Sequence, residues 1–267
     1  MRTPLRALPL LLAALVAASV GLTGCSASAG AATCAPGDVS CLRILFIGNS
    51  YTYVNDLPRT FAQLARAGGH AVGTDSLASG GATLADHVVD AATVPKLDSG
   101  KWDFVVLQEQ SEIPSVADSR EYTMYPAARS LVAMIRERSE TPILFMTWAH
   151  RDGLPPSGMP DYESMQRSID FAYLALSQEL AVAVAPVGYT WAIVRQQSPG
   201  IGLWQDDGSH PSTAGTYLAA CVFYAAVFRQ SPDGLEFTAG LPTDSAGILQ
   251  KVAAQEVLTH PGIWGLH

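Results

Sequence analysis

The feature that most constrains this chain is an alternation of short apolar runs with longer segments of helical periodicity. Ile44 to Ile47 is the first apolar run. "DLPRTFAQLARAGG" follows it, with Asp56 placed to cap a helix and Pro58 in its first turn. Leu57, Phe61, Leu64 and Ala65 recur at helical spacing, and Gly68-Gly69 ends the pattern. Ala71 to Leu77 is a second strand candidate, and Thr83 to Ala92 a second helix. "WDFVVLQ", "PILFMTW" and "AVAVAPV" supply three more strands. Helical patterns over Tyr122 to Arg138 and from Asp161 to Leu180 lie between them, and two more, Ser212 to Phe228 and Asp244 to Leu258, close the chain. Such an order predicts an α/β fold, a parallel sheet covered by helices on both faces. Right-handed crossovers then put the carboxyl ends of the strands on one side, where ligands bind. Ser50, Gln108 and Trp148 all stand at such ends.

The first residues read as something other than fold. Arg2 and Arg6 precede a largely apolar stretch from Ala7 to Val20, too short for an ordinary membrane span. Leu22-Thr23-Gly24-Cys25 then resembles a bacterial lipobox, whose cysteine is diacylated before the chain is cut ahead of it. A plain secretory signal cut near Ser28 to Ala32 is the simpler alternative. The expected organisation is a lipoprotein signal over 1–24, a lipidated tether over 25–42 and one domain over 43–267. Acyl chains on Cys25 would anchor the chain to a membrane from the extracytoplasmic side. Cleavage removes two arginines and no acid, so the formal charge goes from −8 to −10. An acidic domain is a poor partner for nucleic acid, whose phosphates need Lys and Arg. Outside the cytoplasm, Cys34 and Cys41, flanking the turn-rich "APGDVS", suit a disulfide. A metal pair is the rival, but no second Cys/His pair at zinc spacing accompanies it. Cys221, inside "YLAACVFYAAVF", reads as a buried free thiol.

Two stretches carry chemistry. In "RILFIGNSYT" the first strand runs into Gly48-Asn49-Ser50, so Ser50 either caps a helix or attacks a substrate. In "DDGSHPSTAG", Asp207 and His210 are three apart on a turn before a helix. That spacing lets a carboxylate hold the ring of the same histidine and fix its tautomer. Taken alone it is also ordinary turn chemistry, with Ser212 as a helix cap.

Taken together, "FIGNSYT", the "SGGAT" turn after the second strand, the polar end of the third strand and "DGSHPS" resemble the SGNH hydrolases, or GDSL-like esterases and lipases. The resemblance spans about Arg43 to Phe228. It implies a three-layer α/β/α sandwich with a five-stranded, flavodoxin-like parallel sheet. It also implies Ser50 as nucleophile, His210 as base and Asp207 as the acid that orients it. The backbone N–H groups of Ser50 and Gly81 would bind the oxyanion. Asn49 replaces the name-giving aspartate. The third block departs further: "VVLQEQS" stands where Gly-x-Asn-Asp is usual, so the asparagine donor is missing. Gln108, directly off the apolar run, is the expected replacement, with Gln110 as the alternative.

Bottom-up chemistry agrees with that assignment. A serine hydroxyl needs a base to become nucleophilic, and a tetrahedral oxyanion needs donors fixed in advance. No metal or cofactor is required. Gly80, Gln110, Trp148 and His150 are the expected lining of a substrate pocket, and Glu109 either supports it or is solvated. His70, His87, His260 and His267 show no partner pattern. The expected activity is hydrolysis of acyl or acetyl esters, with carbohydrate esters among the candidate substrates. A thioesterase or phospholipase with the same triad, and a surface lipoprotein that binds glycan without turnover, are the alternatives.

Overall fold

The computed structural model describes residues 34–35 and 38–266. The signal-like segment, Cys25 and the tether as far as residue 33 lie outside the described residues. Five strands form one parallel sheet in the order β2-β1-β3-β4-β5. They are β1 (Leu42–Gly48), β2 (Val72–Ala78), β3 (Phe104–Leu107), β4 (Thr141–Phe145) and β5 (Ala183–Ala185). This is the expected α/β sandwich with a flavodoxin-like strand order. β1 sits inside the sheet, paired to β2 from Leu42↔Val72 to Gly48↔Ala78 and to β3 from Ile44↔Phe104 to Ile47↔Leu107. Its near-continuous apolar sequence follows from burial on both faces.

The helices are α1 (Ser50–Tyr53), α2 (Leu57–Ala67), α3 (Leu84–Val89), α4 (Thr93–Asp98), α5 (Ala117–Ser119), α6 (Tyr125–Glu137), α7 (Tyr162–Leu180), α8 (Val187–Gln197), α9 (Thr213–Phe228) and α10 (Thr243–Leu258). α9 packs on α2, α8 and α10, while α6 packs on α3 and α7. Phe223 of α9 shows where the sheet meets the first group. It receives Phe46 of β1 at 5.5 Å and Phe145 of β4 at 5.0 Å, both edge-on. Buried residues run all round α9, which explains the nearly unbroken apolar sequence "YLAACVFYAAVF".

Most helix ends follow their side chains. Asp56 accepts from Arg59 N, Asp161 forms a reciprocal box with Ser164, and Ser212 accepts from Gly215 N. Thr83 caps α3 through a box with Asp86. The single helix expected over Thr83 to Ala92 stops at Asp90, and a second begins at Thr93, whose hydroxyl donates to His87 O. "AVAVAPV" yields only three residues of strand; Val187 already begins α8, which the sequence pattern did not separate from the strand. No helix among the described residues is long and apolar enough to cross a membrane.

Cys34 and Cys41 are joined with an S–S distance of 2.06 Å, just ahead of β1. Cys221 is buried and free. In the chain-entropy account a loop this short contributes about 2–3 kcal/mol. Reduction, followed by urea unfolding, should lower stability by that amount. Chemistry at the far end of β1 should continue, because the strand puts roughly 20 Å between them.

Candidate active site

Ser50 is the first residue of α1, at the point where β1 leaves the sheet. It is not the cap. Asn49 caps α1 with its side-chain oxygen on Tyr51 N, at 3.0 Å. The Ser50 hydroxyl is therefore free for another partner, and Oγ lies 2.9 Å from His210 Nε2. His210 Nδ1 lies 2.6 Å from Asp207 Oδ2. Since the carboxylate accepts, Nδ1 carries the proton and Nε2 is left to accept from Ser50. Asp207 Oδ1 also accepts from the backbone N–H groups of Ser209 and His210. Partial burial raises the Asp207 carboxyl, but the hydrogen bonds from Ser209 and His210 outweigh it and hold it down at about 2. It stays ionised wherever the histidine acts.

The two halves of this site are 160 residues apart in sequence, and aromatic packing holds them together. Tyr51 stacks on Trp148 at 4.5 Å, and Trp148 on Trp191 at 4.1 Å. Trp148 Nε1 donates to Ser209 O, and the Tyr51 hydroxyl is 2.8 Å from Ser209 Oγ. Asn55 Nδ2 donates to Pro211 O, and Arg151 N to Gly208 O. Gly215 is required beside this stack, since a Cβ there would come within 2.4 Å of Trp191. The turn bearing Asp207 and His210 is thus held by Tyr51 of α1, by Asn55 just after it and by Trp148 and Arg151 beyond β4.

The comparisons with known proteins bear on the family. A scan against family models found no match, and a search of curated protein sequences found none. Among solved structures, "a putative SGNH hydrolase from Slackia heliotrinireducens" is 31% identical over 68% of this chain and 97% of its own, with a TM-score of 0.59. The chain belongs to the SGNH hydrolases. A DUF4886 family protein from Bacteroides uniformis is 21% identical, covers 83% of this chain and 96% of its own, and superposes with a TM-score of 0.71. An acetylxylan esterase from Geobacillus stearothermophilus is 16% identical, covers 68% and 92%, and has a TM-score of 0.53. At these lower identities the likeness is one of fold.

For an SGNH hydrolase the third block is unusual, and the structure corrects the reading of Gln108. That side chain has no exposed surface. Its Nε2 donates to Asn49 Oδ1 at 2.9 Å and to Glu109 O at 2.6 Å, which uses both protons. Its Oε1 accepts from Asn49 N and from Thr52 Oγ1. Gln108 thus lies beneath the nucleophile and does not reach an oxyanion. Gly48 must be glycine for the same reason: a Cβ would lie 2.4 Å from Gln108 Oε1. Asn49 in turn donates from Nδ2 to Ala82 O, tying the glycine turn of the second block to the end of β1. An ionised aspartate could not make that bond.

Gly80 and Gly81 are exposed, and Gly81 has φ +70°. Among the described residues neither the Ser50 nor the Gly81 N–H meets an acceptor. Trp148, expected in the pocket, is fully buried in the aromatic stack instead. Tyr53, half exposed, has its hydroxyl 3.2 Å from where a Gly80 Cβ would be. Gln110 is half-buried, with Oε1 accepting from Glu112 N and Ile113 N and Nε2 donating to Ser111 Oγ at 3.3 Å. His150 Nε2 is 3.1 Å from the same Ser111 hydroxyl, and burial lowers His150 below the ordinary histidine value. Ser111 and Ser209 were not legible as site residues, because nothing in their spacing distinguishes them. His87 is buried with Nε2 2.8 Å from Gly48 O. His70 stacks on Phe228 at 3.8 Å. His267 lies outside the described residues.

Removing Gln108 therefore strands the Asn49 N–H and the Glu109 carbonyl oxygen in a dry site. Gln108→Ala should lower the unfolding free energy by at least about 2 kcal/mol in urea titration. A residue acting only as an oxyanion donor would leave stability unchanged.

Proposed function

We propose that this SGNH hydrolase is a serine esterase that cleaves acyl, and above all acetyl, esters through an acyl-serine intermediate. The single observation that carries this is the line of contacts from Ser50 Oγ through His210 to Asp207. His210 Nε2 takes the Ser50 proton as Oγ attacks the ester carbonyl carbon. The carbonyl electrons move to oxygen, and the Ser50 and Gly81 N–H groups stabilise that oxyanion. The intermediate collapses, the alkoxy group leaves with the proton from His210, and acyl-Ser50 remains. Water, deprotonated by His210, then releases the acid and restores the serine.

Two observations favour a short acyl group on a polar alcohol. The groups beside the triad are polar: Ser111, His150, Gln110 and the Tyr51 hydroxyl. The triad is also open to solvent, with about a third of the His210 side chain and nearly half of the Asp207 side chain exposed. Solved structures with this fold include acetylxylan esterases. A carbohydrate acetyl ester suits such a surface, as an aliphatic chain would need an apolar trough.

Ser50→Ala and His210→Ala should each reduce kcat on an acetyl ester by roughly 10⁴-fold or more, with the double variant no worse. Comparable turnover of acetyl and long-chain esters would remove the preference, and near-native turnover by Ser50→Ala would remove the mechanism.

We also propose a lipid anchor at Cys25, supported by Leu22-Thr23-Gly24-Cys25. Cys25→Ala should move the protein out of the membrane fraction; unchanged membrane association and mass would contradict the anchor.

A further inference from the structure

Glu109 follows Gln108 and has no exposed surface. A carboxyl so placed is costly unless its oxygens are matched. Its Oε1 accepts from Leu84 N at 3.1 Å and from Gln110 N at 2.7 Å. Its Oε2 meets no partner among the described residues. Two buried hydroxyls are in the same condition, Tyr173 of α7 and Thr147 just beyond β4. The Tyr173 hydroxyl lies beside the Thr147 hydroxyl and the backbone N–H of Glu109.

The two N–H groups that Glu109 does hold come from different loops of the site. Leu84 begins α3, three residues after Gly81. Gln110 begins the loop that carries Ser111. The Gln108 amide also donates to the Glu109 carbonyl, so one residue links the turn of the second block, the loop of the third and the amide beneath Ser50.

We propose that Glu109 is a positioning residue, fixing the Gly80–Gly81 turn and the Gln110–Ser111 loop against each other, and that it does so as the neutral acid. The inference rests on the assignment of Ser50 as nucleophile. A carboxyl with no exposed surface, two N–H bonds on one oxygen and no partner on the other is held more cheaply as the neutral acid than as the anion. Burial, the largest influence, raises this carboxyl to about 7, against the bonds from Gln110 and Leu84; Asp86 of α3 raises it further. The titratable groups that act with it are Asp86 from α3 and Tyr173 from α7; His87 of α3 is turned to Gly48. No cation is among the groups acting on it.

The functional consequence is electrostatic. As pH rises through about 7, a negative charge develops beneath the turn that must hold the oxyanion. Like charges repel, and the transition state rises in energy. A loss of rate on the alkaline side that disappears when Glu109 is made neutral has Glu109 as its source.

The test compares kcat/KM against pH for the wild type, Glu109→Gln and Glu109→Ala on an acetyl ester, with Ser50→Ala as control. Glutamine keeps an acceptor for Leu84 and Gln110 and places a neutral donor where the acid proton sits. The wild type should decline on the alkaline side with a slope approaching tenfold per pH unit. Glu109→Gln should lack that decline, whatever the height of its profile. Glu109→Ala, which strands both N–H groups, should lose about tenfold or more at every pH. A wild-type decline that persists in Glu109→Gln, or full activity in Glu109→Ala, overturns the proposal.

Melting temperature against pH gives a readout independent of activity. The unfolded chain releases the Glu109 proton first, so wild-type stability falls between the ordinary carboxylate value and about 7. The advantage of Glu109→Gln should widen across that window and then stay constant. Parallel curves overturn the buried acid. Hydrolysis that survives in Ser50→Ala instead refutes the functional assignment, and the melting curves still decide the protonation of Glu109.

Discussion

Everything at this site rests on how the end of a buried parallel strand is satisfied. β1 leaves the sheet at Gly48, inside the protein, where each freed backbone group must find a partner. Two side-chain amides supply them. Gln108 takes the Asn49 N–H and gives both protons back, one to the Asn49 side chain. Asn49 caps α1 and holds the glycine turn through Ala82 O. With the caps and backbone groups served by these amides, the Ser50 hydroxyl has nothing structural to do. Its availability for His210 follows from that division of labour.

The same logic explains why the third block departs from the usual pattern without loss of the triad. A glutamine at the end of β3 serves the floor of the site, and the backbone N–H groups of Ser50 and Gly81, which meet no acceptor among the described residues, are those proposed for the oxyanion. Aromatic stacking supplies the remaining constraint. Tyr51, Trp148 and Trp191 hold the turn of Asp207 and His210 against α1, so a serine and a histidine from opposite ends of the chain keep one register.

Much of this was legible in the sequence, for identifiable reasons. The strands were visible because burial on both faces leaves unbroken apolar runs, as in Ile44 to Ile47. The caps Asp56, Asp161 and Ser212 were visible because capping is local chemistry. The pairing of Asp207 with His210 was visible because it spans three residues. Partners distant in sequence were not. Gln108 and Gln110 lie two apart after the same strand, and no pattern says which amide is consumed below the site and which is left beside it. Trp148 stands at a strand end, yet its stacking partners Tyr51 and Trp191 come from other elements. α8 was missed because "APVGYTWA" runs without a break from β5, with buried residues where a surface helix would show alternation.

The central claim is that Ser50 carries the acyl group. Rapid quenching during turnover of an acetyl ester, followed by peptide mass analysis, tests it directly. The account predicts one added acetyl group on the peptide containing Ser50, absent in Ser50→Ala and, once forced on with an activated ester, longer-lived in His210→Ala than in the wild type. Turnover with no acyl adduct on Ser50, or an adduct on another residue, would contradict it.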